Sequence, residues 1–444
     1  MGVTTDLLQS RRDGESEAGG LAPEPPWELV ETLREGLMRA APGLFETARG
    51  SEEGRQELVR WVETRLLAEH GLRQPAERRR LAEAISDELA DYGPLAPLMR
   101  DPTVNDILVN GPKAVFVERL GQLEPTAVRF RDEGHLEALI QRIVAPLGRR
   151  IDRSQPYVDA RLPDGSRVHA VIAPLALGGP YLTIRKFSRE PLTPARLVEL
   201  GTWSEPVSRW LAVAVRSRCN LLVSGGTGSG KTTTLNALAS FIPGGRERLI
   251  TVEDDAELVL QQEHVVRLEA RPANVEGRGE VTIRDLVRNA LRMRPDRIII
   301  GELRGPEAFD WLTALNTGHD GALSTLHANS GADALERVAN MVLMAGTDLP
   351  YAAILQQVGA GLDLVLHQAR LGDGSRRVIE VSLVDVQEGR TQVRPLWRWN
   401  PRSGRLERQP QPLTARLLQK ATRAGESWPE PRGAARPGER AEAA

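Results

Sequence analysis

Cysteine is almost absent from this chain of 444 residues, since Cys219 is the only one. That excludes a disulfide framework and a multi-cysteine zinc site, and it fits a reducing compartment. Aromatic residues are scarce at 4%, which leaves few platforms for stacking bases. No charge sign dominates: the formal net charge is −2, without global pull on a polyanion. No window approaches the roughly 20 apolar residues that a bilayer-crossing helix needs. Asp13, Glu15 and Glu17 stand where a secretory signal would place its apolar core, so neither secretion nor membrane spanning is expected. Lysine is the last shortage. Only Lys113, Lys186, Lys231 and Lys420 occur among 58 basic residues. GC-rich codons explain that bias, and each position that keeps a lysine becomes informative.

The length suggests about three domains. Residues 1–26, rich in Gly, Glu, Ser and Pro, read as a disordered tail. Residues 27–100 form a helical N-terminal region: Leu29, Leu33 and Leu37, then Leu58, Val62 and Leu66, recur at helical spacing. Residues 101–190 alternate short strands with turns and one amphipathic helix, His135–Leu147, and read as an α+β domain. Within it Tyr157–Leu162 and Arg167–Ile172 make a hairpin around Asp164-Gly165. A two-residue loop there would pair Leu162 with Arg167 and put Arg161 and Arg167 on opposite faces. Residues 191–400 alternate strands with helices, the pattern of a mostly parallel α/β sheet covered on both faces. Residues 401–444, with nine Lys or Arg against five Glu, read as a disordered basic tail.

The chemistry concentrates in the α/β part. The apolar run Asn220–Ser224 leads into Gly225, Gly226, Thr227, Gly228, Ser229, Gly230, Lys231, Thr232 and Thr233, which fits G-x-x-x-x-G-K-[ST]. Glycines let backbone N–H groups turn inward around a phosphate chain. Lys231 then reaches the β- and γ-phosphates, and the Thr232 hydroxyl ligates Mg²⁺. A helix follows and aims its positive end at the anion. ATP and Mg²⁺ are the expected ligands.

Two acidic strand ends follow. Leu249–Val252 delivers Glu253, Asp254 and Asp255, carboxylates that could hold Mg²⁺ through water, polarise the attacking water, or simply be solvated. Arg297–Gly301 delivers Glu302, placed to orient water for attack on the γ-phosphate. Gly301 interrupts the simpler pattern of apolar run then acid. Ahead of that strand, Thr282 and Asp285 resemble a capping box. Arg284, Arg288 and Arg292 then recur every fourth residue on one helix face, a stack of like charge that points to an anion or an acidic partner. After it, Gly318–Asn329 contains His319 and His327, with Thr325 and His327 on one side of a strand, where they could sense the γ-phosphate.

Taken in order, GGTGSGKTT, TVEDDAEL, RDLVRNALRMRPD, IIIGELRG and TGHDGALSTLHANS resemble the motifs of the type II/type IV secretion and pilus-assembly ATPases. The likeness is strongest to the CpaF-type branch of Tad/Flp pili, through DPTVNDILVNGP, GRRIDRSQPYVDARLPDGSRVHAVI and YLTIRKF upstream. The resemblance covers about residues 90–390. It implies a RecA-like P-loop motor that hydrolyses ATP, a hexameric ring, and work with inner-membrane platform proteins on pilin-like subunits. Such a motor would be cytoplasmic and held at the inner membrane by its partners. It also implies Lys231 and Thr232 as loop residues, Glu253 as acidic-box carboxylate, Glu302 as base, and His319 and His327 as the His box. Arg161, Arg167 and Arg185 become candidates to reach the nucleotide, and Arg288 a candidate catalytic arginine. With Cys219 alone, the tetracysteine zinc element of some members is missing and no zinc is expected. A nucleic-acid translocating ring ATPase of the conjugation type is the rival function, against which stand the charge and the aromatic content.

Overall fold

The computed structural model describes residues 25–119, 121–187, 192–271, 273 and 278–429. The outer parts of the two expected tails, residues 1–24 and 430–444, lie outside the described residues. The chain divides into two compact units, Met1–Phe187 and Ser188–Ala444.

The first unit opens with helices Trp27–Ala40, Pro42–Gly50, Glu52–His70 and Pro75–Ala90. Their apolar stripes meet in one core, with Leu29, Leu33, Leu37, Leu58, Val62 and Leu66 all buried. Ser51 fixes the start of the third helix, its hydroxyl accepting from the Gly54 N–H at 3.0 Å. Beyond helix Ala96–Arg100 comes an antiparallel sheet of β1 (Val104–Asn110), β2 (Val115–Arg119), β3 (Gln122–Pro125), β4 (Tyr157–Arg161), β5 (Arg167–Val171) and β6 (Tyr181–Arg185), in the order β3-β2-β1-β6-β5-β4. Helix Glu133–Val144 shares its core through Leu136, Leu139 and Ile140. Lys186 donates its Nζ protons to the carbonyls of Leu98 and Asp101 at the end of helix Ala96–Arg100, which accounts for one of the four lysines.

The second unit is one nine-stranded sheet. Its strands are β7 (Leu221–Gly225), β8 (Leu249–Glu253), β9 (Val265–Glu269), β10 (Arg297–Leu303), β11 (Leu323–His327), β12 (Leu364–Arg370), β13 (Arg376–Gln387), β14 (Arg390–Asn400) and β15 (Arg405–Arg408). The order is β15-β14-β13-β12-β7-β11-β10-β8-β9. From β12 through β9 every pairing is parallel, and from β12 to β15 every pairing is antiparallel. Every residue of β7 and β8 is buried, because separate apolar cores cover the two faces. This is the expected α/β fold with a RecA-like parallel core, and the parallel strands bring the ends of β7, β8, β10 and β11 to one edge.

The described part of the expected C-terminal tail is ordered structure. β15 pairs with β14, and helix Ala415–Ala424 buries Leu417 and Ala421. Arg416 Nε lies 2.6 Å and Lys420 Nζ 2.7 Å from the two carboxylate oxygens of Asp363, just ahead of β12. Composition hides this, because two apolar residues a turn apart and two cations suffice once a buried acid awaits them. Among the described residues, no helix is long and apolar enough to cross a membrane.

Candidate nucleotide site

β7 ends at Gly225 and helix Lys231–Ala239 begins six residues later. The loop between them is clamped from the neighbouring strands. Gln368 Nε2 donates to the Ser229 carbonyl at 2.6 Å, and Gln368 Oε1 accepts from the Thr234 hydroxyl at 2.7 Å. Arg376 Nε donates to the Gly228 carbonyl at 2.9 Å. The fit is tight enough that a Cβ on Gly225 would overlap the Gln368 carbonyl, which is why glycine is needed there. Sequence reasoning missed Gln368 and Arg376. Nothing local marks them, since each acts on a loop some 140 residues away, 139 and 148 by count.

Lys231 Nζ donates to the Gly226 carbonyl at 3.1 Å and lies 3.3 Å from His327 Nδ1. Register explains the second contact, because His327 closes β11 directly beside Gly225. A lysine only donates, so Nδ1 is the bare nitrogen and Nε2 carries the ring proton. Nε2 lies 2.9 Å from Glu302 Oε1, close in distance but not aligned as a hydrogen bond, since that oxygen has no hydrogen-bond partner. Burial and the Lys231 charge hold the imidazole below its ordinary pKa, against the pull of Glu302, so the ring is neutral near pH 7. Burial likewise lowers the pKa of Lys231. The other oxygen of Glu302 pairs with Arg304 NH2 at 2.8 Å, and Arg304 NH1 reaches Asp254 at 3.0 Å. Lys231, His327, Glu302, Arg304 and Asp254 thus lie in one line of contacts along the sheet edge. Arg304 lies within the IIIGELRG run, the signal from which its part could have been read.

Glu253 ends β8 and is 2% exposed. Its Oε1 accepts from the N–H groups of Glu257 and Leu258, both at 2.8 Å, while its buried Oε2 has no hydrogen-bond partner. Burial pushes this carboxyl up to about 7, although the two N–H groups oppose the shift. Gly301 now has a reason: a Cβ there would come within 3.1 Å of Glu253 Cγ, so the glycine that interrupts the acidic pattern makes room for the second acid. An orphaned, nearly neutral carboxylate oxygen is what a hard cation satisfies. Among the described residues no cluster of three or more His, Cys, Asp or Glu could hold a metal. Mg²⁺ does not require one, because it takes one or two protein oxygens with the rest from phosphates and water. Glu253 Oε2 offers one such oxygen.

Three expectations are corrected. His319 lies ahead of β11, whose first residue pairs with Leu221 and whose last pairs with Gly225. It is therefore at the opposite edge of the sheet from the loop, and only His327 of the two joins that line of contacts. Two of the three stripe arginines have found an anion within the chain: Arg284 Nε and Arg288 Nε hold the two oxygens of Asp310 at 2.7 and 2.9 Å. The capping box that starts their helix is present in both halves. Arg288 is thus engaged with Asp310 on helix Glu307–Asn316.

The third correction is one of register. Arg161 pairs with Arg167, and Arg167 with Arg185. The Leu162 N–H donates to the Ser166 carbonyl at 2.8 Å, so the hairpin loop has three residues, Pro163, Asp164 and Gly165, with Gly165 at φ 96°. Residues directly opposite share a face. The three arginines therefore form one row across β4, β5 and β6, on the face away from the buried Val158, Val168 and Ile184.

A glycine loop clamped at the carboxyl edge of a RecA-like sheet, with acidic strand ends beside it, defines a P-loop nucleotide-binding protein. The chain belongs to the type II/IV secretion system protein family, whose pattern matches residues 88–395. A putative conjugal transfer protein of Mycobacterium tuberculosis is 40% identical over 319 residues, 70% of this chain and 90% of that protein. The type IV secretion system protein VirB11 of Brucella suis is 35% identical over 301 residues, 62% of this chain and 83% of its own. The crystal structure of the VirB11 ATPase from Brucella suis in complex with sulphate is 33% identical, covers 65% of this chain and 95% of that one, and superposes with a TM-score of 0.36.

Proposed function

We propose that this chain is the ATP-hydrolysing motor of a secretion or Tad/Flp pilus-assembly machine, moving pilin-like subunits or another substrate at the inner membrane. The observation that carries the reading is the close placement of Lys231, His327 and Glu302 beside the loop, with Lys231 Nζ 3.3 Å from His327 Nδ1 and His327 Nε2 2.9 Å from Glu302. When a γ-phosphate draws Lys231 away, His327 Nδ1 loses its donor and the imidazole is free to reorient. Glu302 then gains freedom to hold a water in line with the phosphorus. Bound Mg²⁺ would supply charge neutralisation at the phosphates, with Thr232 and Glu253 as its protein oxygens. The remaining loop residues cradle the phosphates through their backbone. The row Arg161, Arg167 and Arg185 supplies guanidinium groups suited to phosphate oxygens, and we assign it a role in turnover.

A hexameric ring, partner proteins at the membrane and a cytoplasmic location complete the proposal, supported by the motif order and by family membership. The test is Glu302→Gln: ATP should still bind while hydrolysis collapses, and wild-type hydrolysis would return the role of base to Glu253. A second reading, nucleic-acid translocation, is favoured by the name of the mycobacterial relative. DNA binding that falls steeply and log-linearly with salt would select it.

A further inference from the structure

Tryptophan is unevenly placed. Of the eight in the chain, Trp203, Trp210, Trp397 and Trp399 line one groove of about 900 Å³, and Trp428 stacks on Trp210 with ring centroids 4.6 Å apart. The groove lies between the turn that precedes helix Glu205–Arg216 and the β14–β15 hairpin, away from the nucleotide loop in sequence and in sheet order. Trp397 and Trp399 alternate along β14 and so share a face. Arg377 lies over the Trp399 ring at 5.2 Å and Arg408 over the Trp397 ring at 5.8 Å.

Two features ask for a ligand. The indole N–H groups of Trp203 and Trp397 are buried without an acceptor, as are those of Trp428 beside them and of Trp311 in the core on the other face of the sheet, although buried donors are nearly always paired. The lining is also cationic: Arg209, Arg377, Arg405 and Arg408 stand against Glu205 alone. Arg377 and Arg408 spend their N–H groups on backbone carbonyls, and Arg209 is 3.6 Å from Glu205. Arg405 is exposed at the rim. The lining thus carries an excess of positive charge around ring edges, with Arg405 the exposed guanidinium and Glu205 the one carboxylate.

We infer that this groove is a docking site for an extended, acidic, proline-containing segment of a partner protein. Such a segment presents unpaired carbonyl oxygens at regular intervals, its ordering entropy is already low, and prolyl rings fit slots between aromatic edges. Its carboxylates complement Arg405, which is exposed at the rim. Single-stranded nucleic acid fits less well. A base stacks on an open ring face, whereas Trp203 and Trp210 are 2% and 3% exposed and the other two rings carry guanidinium groups.

The test uses the full chain and a fluorescent synthetic peptide of alternating Glu and Pro, followed by anisotropy. Saturable binding is expected, weakened roughly tenfold or more by Trp399→Ala. Arg405→Glu should weaken it as well. Arg405 is exposed, so that variant keeps the fold, and both variants should hydrolyse ATP as the wild type does. Four results would each overturn the inference: no saturable binding, equal binding of a Lys-Pro peptide, tighter binding of oligothymidylate, or binding indifferent to Arg405→Glu. A fifth is binding that emerges only when the chain is ended at Pro429, because the occupant would then be the chain itself.

Discussion

Glu253 and Asp363 lie at opposite edges of one sheet and are buried alike, at 2% and 1% exposure, yet their surroundings differ in kind. Asp363 is met by two cations: its Oδ2 accepts from Lys420 Nζ at 2.7 Å and from the Asn220 N–H at 2.8 Å, and Arg416 Nε lies 2.6 Å from Oδ1 as an ion pair without hydrogen-bond alignment. Lys420 reaches on to Asp320 at 2.6 Å. Glu253 makes no ion pair among the described residues, and one of its oxygens has no donor. A buried charge costs several kcal/mol unless it is paired. The amino edge meets that cost from within the chain and becomes a structural bolt. The carboxyl edge leaves it unmet, so a cation or a proton must come from outside. The same residue type serves stability at one edge and binding at the other.

The largest expected effect is at the carboxyl edge. Glu302→Gln should lower hydrolysis by roughly 10²–10⁴, with nucleotide binding kept and thermal stability barely moved. Lys231→Ala should lose nucleotide affinity as well. If either substitution acted mainly by unfolding the chain, the division between the two edges would fail. Next comes the amino edge. Asp363→Ala leaves Arg416 and Lys420 without their anion and should cost about 3–5 kcal/mol, near 10 °C in melting temperature for a unit of this size. Ending the chain at residue 404 should do similar harm, because it removes both cations. A melting temperature unchanged by both alterations would show that the bolt holds nothing.

The two edges were not equally legible. The loop Gly225–Thr232 stands out because phosphate geometry dictates its glycines and its lysine at fixed spacing. Glu253 and Glu302 stand out because each follows a strand plain enough to be recognised. The bolt was invisible, since Asp363 and Lys420 are far apart in sequence and neither neighbourhood is unusual. Arg161 and Arg167 failed on one residue of loop length, which inverts a face because strand periodicity is two. Pro163-Asp164-Gly165 carried the missing information, with proline preset for the turn and glycine for positive φ. His319 and His327 look equivalent in the sequence. Only the register of β11 separates them, to opposite ends of the strand.

A third experiment sharpens the contrast through pH. Burial raises the Glu253 carboxyl from 4.5 to about 7, so the folded chain holds that proton more tightly than the unfolded chain does. Its contribution to stability is therefore complete below about 4.5 and is lost as pH rises through about 7. Glu253→Gln, which cannot ionise, should be the more stable protein at pH 8 without metal. Mg²⁺ with a nucleotide must displace the proton. Its apparent affinity should climb about tenfold per pH unit up to about 7 and then level, and the Gln variant should lose that slope. Calorimetric titration across pH 5.5–8.5, a range of about three units around the shifted value, reads both. A flat profile in the wild type would mean that the cation is held elsewhere.

The smallest effect concerns the arginine stripe, and it separates an internal ion pair from a working one. Arg284 and Arg288 share Asp310, whose side chain is 13% exposed, while Arg288 itself is 51% exposed. An exposed guanidinium in a shared pair contributes little, about 0.2–1 kcal/mol. Arg288→Ala should therefore shift the melting temperature by only a few degrees, and Arg284 should keep Asp310 neutralised. The hydrolysis rate should stay within about twofold of wild type, since removing an arginine that acts on the transition state costs roughly 10³–10⁵. Asp310→Ala should affect stability more than Arg288→Ala does, because two guanidinium groups on one helix face then repel without their anion. Arg185→Ala supplies the contrast. Arg185 lies 4.0 Å from Asp106 and is 59% exposed, so its loss should hardly change stability, and a fall in turnover there would set the β4–β6 row apart from the stripe. If Arg288→Ala slows hydrolysis by orders of magnitude while Arg185→Ala does not, the assignments of the two groups must be exchanged.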